Sequence, residues 1–255
     1  MKVSVKVPAS SANIGPGFDC LGMALPIYNT ITIEETVLPG TGIEINVMTE
    51  EENIDEMVFN NIPRDENNLV YKAVEMLYNS IGQEPSELKI NIQTGIPIAR
   101  GLGSSSSIVV GGLLAANKLL GNPADETALL AIATEVEGHP DNVAPAILGG
   151  TVLATQENDG TLSYCKLNWP EEWDITVCIP DFELSTEIAR SILPKEVPMQ
   201  DAIYNPRRVK HQALEKNISK KIGIKGEINK KNVNNVVRGV KQIKETSENK
   251  NAYPV

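Results

Sequence analysis

The stretch Pro97-Ile98-Ala99-Arg100-Gly101-Leu102-Gly103-Ser104-Ser105-Ser106-Ser107 joins two segments of different period. Before it, Leu88-Lys89-Ile90-Asn91-Ile92 alternates apolar and polar residues, which predicts a strand. After it, an apolar run predicts a helix from about Ser105 to Leu120. A strand turning through two glycines into a serine-opened helix suits an anion. Glycine lets the backbone bend tightly and approach a ligand closely. The helix start presents unpaired N–H groups and the positive end of its dipole. Serine hydroxyls can hold phosphate oxygens or a magnesium ion, a hard cation that prefers oxygen. Taken alone, the segment fits a plain turn with a serine N-cap equally well. It is no Walker loop, because no Lys follows the second glycine, and no dinucleotide fingerprint, because the third glycine is missing.

Working outward, Leu69, Val70, Ala73, Met76, Leu77 and Ile81 have amphipathic-helix spacing, and Gly82 stops that helix. Val3, Val5 and Val7 alternate as a half-buried strand, with a loop of small residues expected from Pro8 to Gly22. Ile31-Thr32-Ile33 and residues 43–47 are further strands. A helix fits Asp125 to Glu137, with Asp125 as N-cap, and breaks at Gly138-His139-Pro140. Asp141-Asn142 before Val143 reads by itself as a turn. Strands fit 151–155 and 175–179, and a short helix fits Ser185 to Leu193. This order is α+β, not a regular βαβ repeat.

The chain has 255 residues, room for one large domain or two modest ones. Its formal charge of −10 argues against a nucleic-acid partner, whose affinity comes from clustered Lys and Arg. Any phosphate must then be held by backbone amides, a helix terminus and a metal. Cys20, Cys165 and Cys178 are too few and scattered for a disulfide framework or a zinc site. The longest apolar run, Ile108 to Ala116, is nine residues, against about 20 for a membrane span. The opening residues lack the apolar core of a signal peptide. The expectation is a cytoplasmic protein with no membrane partner.

Two other runs give the glycine loop its meaning. Pro8-Ala9-Ser10-Ser11-Ala12-Asn13-Ile14-Gly15-Pro16-Gly17-Phe18-Asp19 precedes it, and Glu137-Gly138-His139-Pro140-Asp141-Asn142-Val143-Ala144-Pro145 follows it. Together the three resemble the GHMP family of small-molecule kinases, in particular its homoserine-phosphorylating branch. The resemblance covers residues 1 to about 204. It implies an N-terminal ATP-binding domain (1–160) like the second domain of ribosomal protein S5, then a ferredoxin-like C-terminal domain that starts at 161–204. It also implies a homodimer that uses ATP and Mg2+ to phosphorylate L-homoserine on the way to threonine.

On that resemblance, Pro97, Ile98, Ala99, Arg100, Gly101, Leu102, Gly103, Ser104, Ser105, Ser106 and Ser107 hold the ATP phosphates. Ser105 is a magnesium ligand and Glu137 its carboxylate partner, with Glu135 as the alternative. Asn13, Asp19, His139, Asn142, Thr186 and Arg190 match the amino-acid pocket: Asp19 suits an ammonium, Asn13 a hydroxyl or carboxylate, and Arg190 a carboxylate through its bidentate fork. Asp141 stands where some members carry a catalytic aspartate, although positioning alone can serve phosphoryl transfer. Glu137, Asp141 and Arg190 are thus the catalytic candidates. Without the family context, Arg190 reads as a surface charge and His139 as merely one of two histidines.

The tail differs. Residues 205–255 hold 13 Lys or Arg against 4 Asp or Glu, so residues 1–204 carry −19. The Gly-Ala-Gly-Pro type loop and the late Arg of the family are missing from the tail. A frameshift near codon 205 is the expectation, with natural divergence or a basic partner-binding tail as the alternative. Two further readings stand beside the kinase: a mevalonate-type GHMP enzyme, and a catalytically impaired nucleotide-binding remnant.

Overall fold

The computed structural model describes residues 1–36, 42–49, 59–85, 87–169, 174–179 and 186–218. Its sheet is organised by one long strand. β1 (Lys2–Ala12) lies antiparallel along β2 (Leu21–Glu35). The register shifts between Pro8, paired with Tyr28, and Ala9, paired with Leu25, so that Pro26 and Ile27 fall outside the ladder. Proline has no N–H to give a ladder, which explains a shift at this point. With one edge taken by β1, the other edge of β2 is divided. Thr30–Glu35 pair antiparallel with β4 (Leu88–Thr94), and Leu21–Met23 pair with β5 (Thr151–Gln156). β3 (Glu44–Thr49) joins β4 in parallel, and β6 (Leu162–Leu167) closes the far side on β5.

Four helices cover this sheet, the second and fourth in chain order lying directly on its strands and the other two packing against those. They are α1 (Leu69–Ser80), α2 (Ser104–Leu119), α3 (Glu126–Glu137) and α4 (Pro140–Leu148). Capping marks their ends as the sequence suggests: Asn68 accepts from Val70 N, Asp125 accepts from Ala128 N, and Gly138 ends α3 at φ +86°. Val7, Ile31, Ile33, Ile90 and Ile92 from the sheet meet Val74, Leu77, Val110, Leu113 and Leu130 from the helices, all fully buried. Each such side chain contributes about 1.5–3 kcal/mol of burial, so this layer fixes where the connecting loops start.

Several expectations need correction. The loop expected over Pro8–Gly22 is confined to residues 13–20, because the small residues up to Ala12 still pair with β2. Asp141-Asn142 is not a turn but the first turn of α4, with His139 as N-cap and Pro140 at N1, where its missing N–H costs nothing. Residues 174–179 form no strand. The helix expected from Ser185 to Leu193 is α5 (Thr186–Ser191); Ser185 lies outside the described residues. β6 and α6 (Met199–Ile218) were not anticipated, and α6 runs across position 205, where the charge changes sign. Among the described residues the buried core ends at Ala154, while Ile188, Ile192, Leu193, Val197, Met199 and Tyr204 are exposed. No helix among them is long and apolar enough to cross a membrane.

Candidate active site

The glycine loop is strapped from below by one buried side chain. Asn29, fully buried on β2, accepts from the N–H groups of Gly95 and Ile96 at 3.0 Å each. Its Nδ2 donates to Ser107 Oγ at 2.7 Å, and that hydroxyl donates to Ser104 O. Asn29 therefore ties the end of the strand to the start of α2, fixing both ends of Pro97–Ser106. Sequence reasoning missed it. The available signal was a lone amide in the otherwise β-forming run Tyr28-Asn29-Thr30-Ile31.

Within the loop, Ala99, Gly101 and Gly103 take φ of +54°, +69° and +64°. Gly101 faces open space, but a Cβ on Gly103 would lie 2.1 Å from Ser10 Oγ and 3.1 Å from Asn142 Oδ1. The two glycines thus do different work: one leaves room for a ligand, the other lets the loop pack against β1 and α4. Ser10 completes that wall by donating its N–H to Leu102 O at 3.0 Å and its hydroxyl to Asn142 Oδ1 at 2.9 Å.

Gly103 caps α2 without any side-chain bond, so the first N–H groups of the helix have no side-chain cap. Ser105 Oγ donates to Glu137 Oε1, and Ser106 Oγ donates to Glu137 Oε2 at 3.0 Å. Glu135 is exposed, two residues and so about half a helical turn away from Glu137. Glu137, not Glu135, faces the loop. Ser104 Oγ is buried with no partner. Two hydroxyls and a carboxylate beside an uncapped helix start form an all-oxygen donor set that fits a hard divalent cation bound with a polyphosphate.

A second cluster gathers side chains from the 13–20 loop, the start of α4 and a short helix further along. Asn13 and Asp19 both have φ of +57°, a backbone state that Asn and Asp tolerate best. Asn13 Oδ1 accepts from Asp19 N at 2.8 Å. Arg190, on α5, grips the Asp19 carboxylate through both ends of its fork, at 3.0 and 2.5 Å, and lies 5.3 Å from the Phe18 ring centroid. His139 Nδ1 meets Asp141 Oδ1 at 2.5 Å, and this bond holds the imidazole pKa above its ordinary value against the opposing effect of burial. Asp141 is fully buried and its Oδ2 has no partner. Gly22 allows this approach, since a Cβ there would lie 1.8 Å from Asp141 O. Asp19, His139 and Asp141 each offer a metal-ligating atom within 4.8 Å of the others, but Arg190 already engages Asp19, and His139 engages Asp141.

The sequence-derived residues Asn13, Asp19, His139, Asp141 and Arg190 thus converge, while Asn142 turns to Ser10 and to Gly103 of the glycine loop. Thr186 begins the helix that carries Arg190, one turn earlier, and is exposed. Beside Asp19, a cleft of about 470 Å3 opens between Pro16, Phe18 and Cys20 on one side and Asn205, Pro206 and Val209 on the other. Burial, with Asp141 and Asp19 nearby, pushes the Cys20 thiol pKa up.

The site thus has two parts, a strand–glycine loop–helix unit with Glu137 against its serines and a second cluster of Asp19, His139, Asp141 and Arg190. The family model for the GHMP kinases N terminal domain matches residues 68–150. A homoserine kinase of Carboxydothermus hydrogenoformans is 40% identical over 257 residues, covering 99% of this chain and 81% of its own. A homoserine kinase of Caldicellulosiruptor saccharolyticus is 45% identical over 206 residues, covering 81% of this chain and 63% of its own. The crystal structure of homoserine kinase from Cytophaga hutchinsonii superposes with a TM-score of 0.71 at 29% identity, over 84% of this chain and 67% of that one. The chain belongs to the homoserine kinase family of the GHMP kinases. It spans less than two thirds of the length of the Caldicellulosiruptor relative.

Proposed function

We propose that the chain catalyses ATP-dependent phosphorylation of L-homoserine to O-phospho-L-homoserine, a step toward threonine. The observation that carries this reading is the start of α4: Asp141 lies within 4.8 Å of His139 and of Asp19, which Arg190 grips, while the next residue, Asn142, packs against Ser10 and against Gly103 of the glycine loop. Phosphoryl transfer needs in-line placement and charge neutralisation more than covalent chemistry, and adjacent residues of α4 join the two clusters.

Bound Mg-ATP supplies the phosphoryl group and the neutralising metal charge. The Pro97–Ser107 loop holds phosphate oxygens through N–H groups between Ile98 and Ser106, and Ser105 with Glu137 holds Mg2+. Asp19 takes the substrate ammonium and Arg190, with Thr186 behind it, the carboxylate. Asn13, His139 and Asn142 orient the hydroxyl. Asp141 keeps the His139 ring fixed, and no general base is required. An S5-like domain at 1–160, a ferredoxin-like domain starting at 161–204, a homodimer and a cytoplasmic setting complete the proposal.

For residues 205–255 the choice lies between a shifted reading frame and a natural basic segment. The Carboxydothermus alignment runs through the tail and favours the natural one. Reading the coding DNA past codon 205 in all three frames decides it: a Gly-Ala-Gly-Pro type segment in another frame would establish the shift. The activity is tested by coupled ADP release with L-homoserine, mevalonate, galactose and shikimate. Turnover should be greatest with L-homoserine, and equal or better turnover of mevalonate would refute the reading.

A further inference from the structure

The two groups assigned to the ends of the substrate are bonded to each other. Asp19 and Arg190 are 171 residues apart in sequence, yet they form a two-point ion pair. Both ends are held: Asp19 by the Asn13 bond to its N–H, Arg190 by the Phe18 ring. Their side chains are 35% and 37% exposed, so a ligand can reach the pair from solvent. Other charges also act on it. Asp141 acts on Arg190, while Arg190 and Asp19 act in opposite senses on His139.

We infer that the Asp19–Arg190 pair is a mask that makes the pocket selective for ligands carrying an ammonium and a carboxylate together. The inference rests on the substrate reading given above. A ligand with only an ammonium must displace Arg190 from Asp19 and leaves the guanidinium without a partner. A ligand with only a carboxylate leaves Asp19 exposed beside Asp141. A zwitterion replaces both halves of the pair at once, and no charge is stranded. An α-amino acid is such a ligand; an amino alcohol or a hydroxy acid is not. Arg190 is therefore a specificity-determining residue twice over, attracting one ligand and barring another.

The test is calorimetric and needs no turnover. The full chain is titrated with L-homoserine, with 3-aminopropan-1-ol, which lacks the carboxylate, and with 4-hydroxybutanoate, which lacks the ammonium. Arg190→Met frees Asp19 and should bind 3-aminopropan-1-ol about fivefold tighter than the wild type, the worth of a half-exposed ion pair. Arg190→Lys restores a cation and should reverse the gain. Asp19→Asn is the mirror variant and should bind 4-hydroxybutanoate tighter by a similar factor, which keeps the test alive should Arg190→Met misfold. If both variants bind their single-charge ligands no tighter than the wild type while the wild type binds L-homoserine, the mask is wrong. If L-homoserine fails to bind the wild type but the gains appear, the substrate reading falls and the mask stands.

Discussion

Gly103→Ala should destabilise the fold by about 2–3 kcal/mol, and the amount can be divided. Gly103 sits at φ +64°, a left-handed state that costs an L-residue about 1–2 kcal/mol. The new Cβ would lie 2.1 Å from Ser10 Oγ, so that hydroxyl must turn away and give up its 2.9 Å bond to Asn142. A hydrogen bond of this kind is worth about 0.5–1.5 kcal/mol. With a urea slope of about 2 kcal/mol/M, the midpoint should fall by about 1 M or more, read by far-UV circular dichroism. Ser10→Ala removes the clashing oxygen and leaves only its Cβ, 3.3 Å away. In that background Asn142 Oδ1, 3.1 Å from the new Cβ, is released from Ser10 and can shift, so Gly103→Ala should cost little beyond the dihedral part, about 1–2 kcal/mol. Gly101→Ala is the control: φ is +69° but nothing lies within 4 Å, so it too should show the dihedral part alone. A branched side chain at 103, as in Gly103→Val, is expected from the sequence to occupy phosphate space and leave the fold largely intact. The structure gives that space to Ser10 and Asn142. An unchanged urea midpoint in Gly103→Ala, or strictly additive costs with Ser10→Ala, would refute the packing account.

Glu137→Gln keeps an oxygen for Ser105 and Ser106 to donate to but loses the charge. Titration calorimetry should show ATP affinity with magnesium falling about tenfold or more, a loss of at least one charge-assisted contact, while metal-free affinity holds or rises. The raised pKa of His139 gives stability a pH signature. The charged ring's contribution is complete below its ordinary value of about 6.5 and fades as pH climbs through the higher folded value. Chemical denaturation across that window should show the wild type losing stability on the alkaline side, and His139→Asn should flatten the slope; equal slopes would mean that the Asp141 bond does not favour the imidazolium.

What the sequence makes legible is local. The end of α1 at Gly82, the Asp125 cap and the Gly138 stop each depend on one residue's own conformational preference, so they can be read without neighbours. β2 could not be read the same way. Its fifteen residues include Asn29 and, at the register shift, Pro26, and pairing with three other strands on either side of that shift makes one long strand of them. α4 was hidden because Pro140 and Asp141 signal a turn as readily as a helix start. The site followed the same division. Motifs picked out most of the residues that the fold brings together, but the Asn29 strap and the Asp19–Arg190 bond join residues 66 to 171 positions apart, which no spacing rule encodes.

One apparent contradiction in the composition resolves at Glu137. Residues 1–204 carry a net charge of −19, a poor surface for a polyphosphate. The cradle offers backbone N–H groups, an uncapped helix start and serine hydroxyls, all of which favour an anion. A carboxylate directed at the same hydroxyls works against that preference and would repel a phosphate at short range. It favours binding only if a cation stands between the two, where its charge adds to that of the phosphate oxygens. The placement of Glu137 is therefore itself an argument for magnesium in the proposed reaction. It also explains why Glu137→Gln should spare or improve binding of the free nucleotide while weakening the magnesium complex. Falling affinity for both forms alike would mean that Glu137 serves only to align Ser105 and Ser106.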